Sequence, residues 1–439
     1  MSNSSNGKAG NVDLHKVSYN FGAQGWKMII FQVIWLFFMT GMTVDGLNII
    51  VPNMAAFHGW DENLVLSIST PASLIALILT MFWGKLSMTF GLKKVHVVTM
   101  FLGGISLIAY GFSSSIGMYA VTLVCAVTFI NAFAINCGFS IIANWFPTQK
   151  GVIMGLTTIG MNLASATISI ILNALTTRYN IQIAIAVMGV VVIIVGLLTL
   201  FFTTATPEES GCLPDNDPEV AKLIHSEEAK LEEDGVKGIT YKDALTNPKV
   251  WILGIAYGCF GLATVGIMSQ LVGFFTTEKG FIVPQALMVI TIAAIIGMVG
   301  SWAWGVVDQK IGTKKASILF GIWYFIGILF LLPGSTITMY IGIFMLGAAI
   351  GGNGNFAPSM ASFIFGRRDF AISYAVLNTL VGVVRSCSFF VLAFTRAAFQ
   401  GYTVPYIIMA CIALLGSVLI ALIKVTGAVG ASVGINETE

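Results

Sequence analysis

Charge is scarce in this chain. Of its 439 residues only 10% are Asp, Glu, Lys or Arg, whereas 56% are hydrophobic. Soluble domains carry roughly 25% charged residues, and a water-soluble fold of this length could not solvate its surface with so few. The solvent for most of that surface must be lipid. Histidine is scarce too: the four, at positions 15, 58, 96 and 225, lie outside the long apolar runs or at their edges. The six cysteines stand singly at 125, 137, 212, 259, 387 and 411, five of them within apolar runs. No pair has metal-ligand spacing, so neither bound metal nor disulfides are expected. No Ser-His-Asp set, metal cluster or Walker loop occurs, which argues against an enzyme and leaves no cofactor to expect. The net charge of +2 gives no reason to expect a nucleic-acid partner. The polar opening stretch does not read as a cleavable signal, because the apolar run behind it is too long and lacks a clear small-residue cleavage site.

What the chain has is apolar length. A helix needs about 20 apolar residues to cross the hydrocarbon core. Such runs begin near 27, 64, 95, 117, 151 and 181, and again near 250, 284, 315, 337, 370 and 403. The expected fold is an all-α membrane protein with twelve transmembrane helices in two pseudo-symmetric six-helix bundles. The expected divisions are a tail 1–26, a first bundle 27–203, a linker 204–249, a second bundle 250–424 and a tail 425–439. The linker holds eleven acidic and five basic residues, which leaves nine acidic against seventeen basic elsewhere. With both termini and the linker in the cytoplasm, the short inner loops hold Lys85, Lys93, Lys94, Lys150, Lys310, Lys314, Lys315, Arg367 and Arg368. The outer loops then hold only Arg178, Lys279 and Arg396. This bias favours that orientation, in a cell membrane. Within the linker, Val220, Leu223, Ile224 and Leu231 could form one face of a short amphipathic helix, although a solvated linker is the simpler expectation.

The halves repeat. Gly84, Gly91, Lys93 and Lys94 follow the second run, and Gly305, Gly312, Lys314 and Lys315 follow the eighth, at an offset of 221. At an offset of 219, Phe146 matches Phe365 and Asn136 matches Asn355. Parallel halves joined by an inner loop suggest two bundles around a central cavity. The loops from Gly84 to Lys94 and from Gly305 to Lys315 resemble the signature loop of the major facilitator superfamily. The first copy has Met88 and Thr89 where the family has Asp and Arg. The second has Asp308 one place early and keeps a base at Lys310. The resemblance implies a gating role for Gly84, Gly91, Gly305, Asp308, Lys310 and Gly312. Within the superfamily, the stretches Asn144 to Leu156 and Tyr241 to Leu253 resemble the oxalate/formate antiporter group and its monocarboxylate-transporter relatives. That pattern places one base in helix eight and one in helix eleven. Here helix eight has none, which favours a monocarboxylate held by one cation over a dianion held by two.

An ionisable side chain deep in a bilayer costs at least ~2.5 kcal/mol. Two sit clearly mid-run, Asp45 and Arg385. At about 100° per residue, Tyr374, Asn378 and Arg385 fall within an arc of about 40°. Arginine keeps its proton and offers a planar fork that fits a carboxylate. Arg385, Asn378 and Tyr374 are therefore candidate substrate contacts, with a fixed ion pair or helix anchor as the alternative. Asp45 could take up a coupling proton, pair with Arg385 in the empty site, or cap backbone at a break near Gly46. Asn131, Asn136, Ser140, Asn353 and Asn355 could bind substrate or hold helices together. Repeat symmetry makes Asn136 and Asn355 the best contacts among them. Gln270 is a weaker outer candidate. Gly351 to Pro358 is expected to bend or unwind. The expected function is secondary active transport of a small organic anion by alternating access, as a proton symporter or an anion exchanger. The alternatives are an exporter of hydrophobic drugs, for which Arg385 would be dispensable, and a membrane sensor or scaffold, which lacks a large extramembrane domain.

Overall fold

Inside lipid every backbone N–H and C=O must be satisfied by the chain itself, which leaves helices or a closed barrel. This chain takes the helix. The computed structural model describes residues 13–333 and 335–428; the remainder of both expected tails lies outside the described residues. Among the described residues eleven helical segments are long and apolar enough to cross a membrane, and one, Thr336–Arg396, runs over 61 residues. Gly366 divides that segment: with φ 61° and ψ −174° it leaves helical space. Before it, Gly347 and Gly351 pack on Ala293 and Gly297 of helix eight; after it, Leu380 and Val384 pack on Gly254 and Gly258 of helix seven. Helices seven and eight are antiparallel, so the chain reverses at Gly366 and twelve crossings result.

The first helix begins at Gly22, within the stretch expected to be tail, and runs through Gly22–Thr40, a π-helical turn Gly41–Asp45 and Leu47–His58. The next five are Glu62–Phe90, Leu92–Gly111, Ile116–Trp145, Lys150–Arg178 and Ile181–Phe202. Pro248–Glu278, Val283–Ile311 and Thr313–Leu331 follow the linker. Helix ten is Thr336–Gly352 extended, after a turn at Asn353 to Asn355, by 356–365; helix eleven is 367–399 with a break at Cys387; helix twelve is Thr403–Leu422. The turn at Asn353 to Asn355 is the break expected from Gly351 to Pro358.

The repeat is visible in the backbone. Gly91 alone joins helices two and three with φ 94° and ψ 135°, and Gly312 joins helices eight and nine with φ 87° and ψ 151°. Both occupy the positive-φ region that only glycine enters without strain. Each repeat also contains one matching buried bond. Asn136 Nδ2 donates to the Thr80 carbonyl at 2.8 Å, and Asn355 Nδ2 donates to the Ser301 carbonyl at 2.7 Å. Thr80 and Ser301 are themselves 221 apart.

The bundles meet at the end that carries the termini and linker. A Cβ at Gly305 would lie 2.6 Å from the Gly151 carbonyl and 2.8 Å from Gly155 Cα. Backbone therefore touches backbone between helices five and eight. Gln309 fastens this seam: its Nε2 donates to Leu14 O at 2.7 Å and Thr148 O at 2.8 Å, and its Oε1 accepts from Gly151 N at 3.1 Å. On the other side of the axis, Gly84 faces Ala375 and the Tyr241 hydroxyl, and Gly382 faces Leu77. The linker covers this end. Its helix Pro218–Glu233 buries Val220, Leu223 and Ile224, so the amphipathic reading holds and the solvated one does not. Local pattern could not decide this, because the apolar face is stabilised by what covers it. Arg367 grips Glu208 with two bonds of 3.0 and 3.1 Å. Asp215 accepts from Thr148 N at 2.9 Å and Thr148 Oγ1 at 2.8 Å.

Candidate functional site

The seam ends near mid-span. Its last contacts are Leu77 with Gly382, Asn162 with Gly297, and a buried cluster of Thr158, Ser301 and Asn355. Thr158 Oγ1 lies 2.6 Å from Ser301 Oγ and also donates to Asn355 Oδ1. Beyond this floor, towards the opposite end, the inner faces of the same helices carry the two intramembrane charges.

Ser165 follows Thr158, Met161 and Asn162 on the face of helix five turned towards the second bundle. It is exposed, one turn above the floor, and its hydroxyl donates to Asp45 Oδ2 at 2.5 Å. Asp45 ends the π-helical turn of helix one, and that extra residue per turn rotates it relative to a regular helix. The break near Gly46 is present, with Gly46 N donating to Gly41 O at 2.8 Å. The Asp45 carboxylate does not cap it; it is held by Ser165.

Arg385 lies three residues beyond Gly382 on helix eleven. Its aliphatic stem packs on Gly261 of helix seven, where a Cβ would stand 3.3 Å from its Cγ and Cδ. The side chain is exposed, although the residue stands in the middle of a membrane-spanning helix. Among the described residues it has no hydrogen bond or ion pair, and Asp45 is not its partner. A guanidinium in this position is a charge without a protein counter-ion.

The other candidates divide. Asn378 is half-buried below Arg385 on the same stripe. Tyr374 is 3% exposed and belongs to the seam: it stacks on Phe370 at 5.0 Å and meets Phe139 of the first bundle edge-on at 5.7 Å. It remains close enough to Arg385 for the two groups to interact electrostatically. Asn136 and Asn355, at 3% and 0% exposure, are buried between helices, Asn355 within the floor cluster. Each donates one amide hydrogen to a neighbouring helix, and Asn136 Oδ1 has no hydrogen-bond partner among the described residues. Of the gating set, Gly84 and Gly305 lie in the seam, Asp308 is buried beneath it, Lys310 is exposed, and Gly91 and Gly312 form the repeated turns. Gln270 is held by Arg396 at 2.7 Å and by the Tyr402 hydroxyl at 3.2 Å.

Sequence reading missed Ser165, Thr158, Ser301 and Gln309. All are neutral, and a neutral polar residue in an apolar run gives no sign of its partner. Gln309 lies inside the second signature loop between two charged residues, Asp308 and Lys310.

Outside the membrane-spanning segments, burial raises the Asp215 carboxyl to about 6, against the lowering effect of its bonds to Thr148 and Gln149. Glu208 is opposed by burial but held below the usual carboxylate range, chiefly by its bond to Arg367.

The description of the Major Facilitator Superfamily matches residues 33–386. The uncharacterized MFS-type transporter YhjX of Escherichia coli (strain K12) is 21% identical over 310 residues, which are 69% of this chain and 72% of that one. The crystal structure of the human organic anion transporter MFSD10 (TETRAN) aligns with a TM-score of 0.66 at 13% identity, over 90% of this chain and 97% of that one. The proton:xylose symporter XylE, bound to 6-bromo-6-deoxy-D-glucose, aligns with a TM-score of 0.70 at 15% identity, over 94% and 99%. These structural likenesses speak for the fold. The superfamily match runs from the first helix to Ser386 in the eleventh, through both halves of the repeat, and on that ground this multi-pass membrane protein belongs to the major facilitator superfamily of transporters.

Proposed function

We propose that this transporter moves a small organic anion, a monocarboxylate in the simplest case, by alternating access as a proton symporter or anion exchanger. One observation carries the reading: Arg385, in the middle of helix eleven, is exposed and has no protein counter-ion among the described residues. An unpaired guanidinium within the span of a bilayer is costly unless it faces water or an anion completes it. A carboxylate fits its planar fork. The absence of a second base in helix eight supports one carboxylate over two. The resemblance of Asn144 to Leu156 to the oxalate/formate antiporter group points the same way.

Asp45 and Ser165 are bonded to each other in the first bundle. Asp45 serves as the proton-accepting or charge-compensating group, and Asn378 is a second contact for the anion. With the lysine-rich end in the cytoplasm, the closed seam is the inner gate and the cleft opens outward. Rocking the bundles apart at the seam, where glycines bring backbones into contact, would deliver the anion inside. The reading is tested in reconstituted vesicles by uptake of labelled monocarboxylates. Arg385→Gln is expected to abolish uptake, and Asp45→Asn to abolish accumulation driven by a pH gradient. Normal uptake by Arg385→Gln would overturn the anion site and favour export of hydrophobic compounds.

A further inference from the structure

At the terminus-bearing end, on the outer flank of the first bundle, a cavity of about 230 Å³ opens between helices one, three, four and six. It lies well away from the cleft. Lys27 and Lys93 line it, with Gln24, Trp145, Phe202 and Glu209. Both lysines are half-buried. Neither has a hydrogen bond or ion pair among the described residues. The Lys27 ammonium lies 5.8 Å from the Phe202 ring centroid, a weak contact for a charge leaving water. Glu209, also in the lining, forms no ion pair with either lysine among the described residues; its Oε2 accepts from Ala205 N at 2.9 Å. Gln24 and Lys93 stand in the first turns of helices one and three, whose N-terminal N–H groups add positive potential.

The surface beside this cavity is apolar. Phe201 is 75% and Phe202 53% exposed, and Leu197, Leu198 and Leu200 continue the exposed strip along helix six. A ligand seated here would meet two ammonium groups at one end and a hydrocarbon-facing helix at the other. An anionic phospholipid has that division, with its phosphate in the cavity and its acyl chains along helix six. We propose that Lys27 and Lys93 form a binding site for the headgroup of an anionic phospholipid in the leaflet at the terminus-bearing end. Because the cavity joins helix one to the start of the linker at Thr203 and Thr204, an occupied site ties the first bundle to the cover of the seam.

The test is native mass spectrometry of the delipidated full chain, titrated separately with phosphatidylglycerol, phosphatidylcholine and glycerol 3-phosphate. The wild type is expected to retain phosphatidylglycerol in preference to phosphatidylcholine, and glycerol 3-phosphate is expected not to bind. Lys27→Gln and Lys93→Gln should each weaken phosphatidylglycerol binding about fivefold, and the double variant about thirtyfold. Lys94→Gln, at an exposed neighbour outside the cavity, should bind as the wild type does. Equal binding of the two lipids by the wild type would overturn the proposal, and this comparison needs no variant to fold. Unchanged binding by the double variant would overturn it too. Binding of glycerol 3-phosphate as strong as that of the lipid would make this a free-phosphate site instead.

Discussion

Single side chains in this protein separate by what their polar atoms already bind. Arg385 and Asp45 have capacity left for a ligand; Asn136 and Asn355 are buried, and each gives an amide hydrogen to a neighbouring helix. Asn136→Ala and Asn355→Ala should each cost about 1–3 kcal/mol, because a buried carbonyl loses its partner. Both variants should transport with an unchanged Km; a raised Km at normal stability would restore them as substrate contacts. Asp215 makes a different prediction. Its folded pKa of about 6 is above its unfolded value near 3.8. Its contribution is thus fully present below about pH 4 and is lost as pH rises through 6, a span worth up to about 3 kcal/mol. Docking of the linker onto Thr148 should tighten on acidification from pH 7 to 5, read as a higher protection factor of the Thr148 amide after the intrinsic pH dependence of exchange is divided out. Asp215→Asn should remove that dependence and hold the tight form at pH 7.

At the level of elements, the seam between helices five and eight rests on glycines that bring backbone onto backbone. Gly305→Ala places a methyl group 2.6 Å from the Gly151 carbonyl, with no flexible side chain to yield. The expected cost is about 1–3 kcal/mol, with a shift towards the form open at this end. A thiol introduced as Ser301→Cys, sealed when the seam is closed, should then react faster with a soluble maleimide in the Gly305→Ala background. Unchanged labelling would mean that the seam does not gate. The elements also divide by how far the sequence reveals them. Apolar length and the repeated Gly91 and Gly312 turns were legible, because lipid demands the first and positive φ the second. The π-helical turns at Gly41–Asp45 and Ala132–Cys137 were not, since the same residues would suit an ordinary helix. Docking of the linker helix was hidden for the reason given by its buried face: its partner lies elsewhere in the chain.

For the molecule as a whole, twelve helices in two repeated bundles meet at the end that bears the termini. The two charges that composition singled out stand one in each bundle, Asp45 on helix one and Arg385 on helix eleven, and this much could be read from the cost of charge in lipid. What surrounds them could not, because Ser165, Gly261 and the Thr158–Ser301–Asn355 floor act through position and carry no charge. The most direct measurement is the change in melting temperature of the purified chain with a panel of monocarboxylates and neutral analogues, for the wild type and Arg385→Gln. A ligand at a hundred times its Kd stabilises the folded state by about 2.7 kcal/mol. The account predicts that at least one monocarboxylate raises the wild-type melting temperature, that its neutral amide does not, and that Arg385→Gln loses the response. An equal rise in Arg385→Gln, or stabilisation by neutral compounds alone, would contradict it.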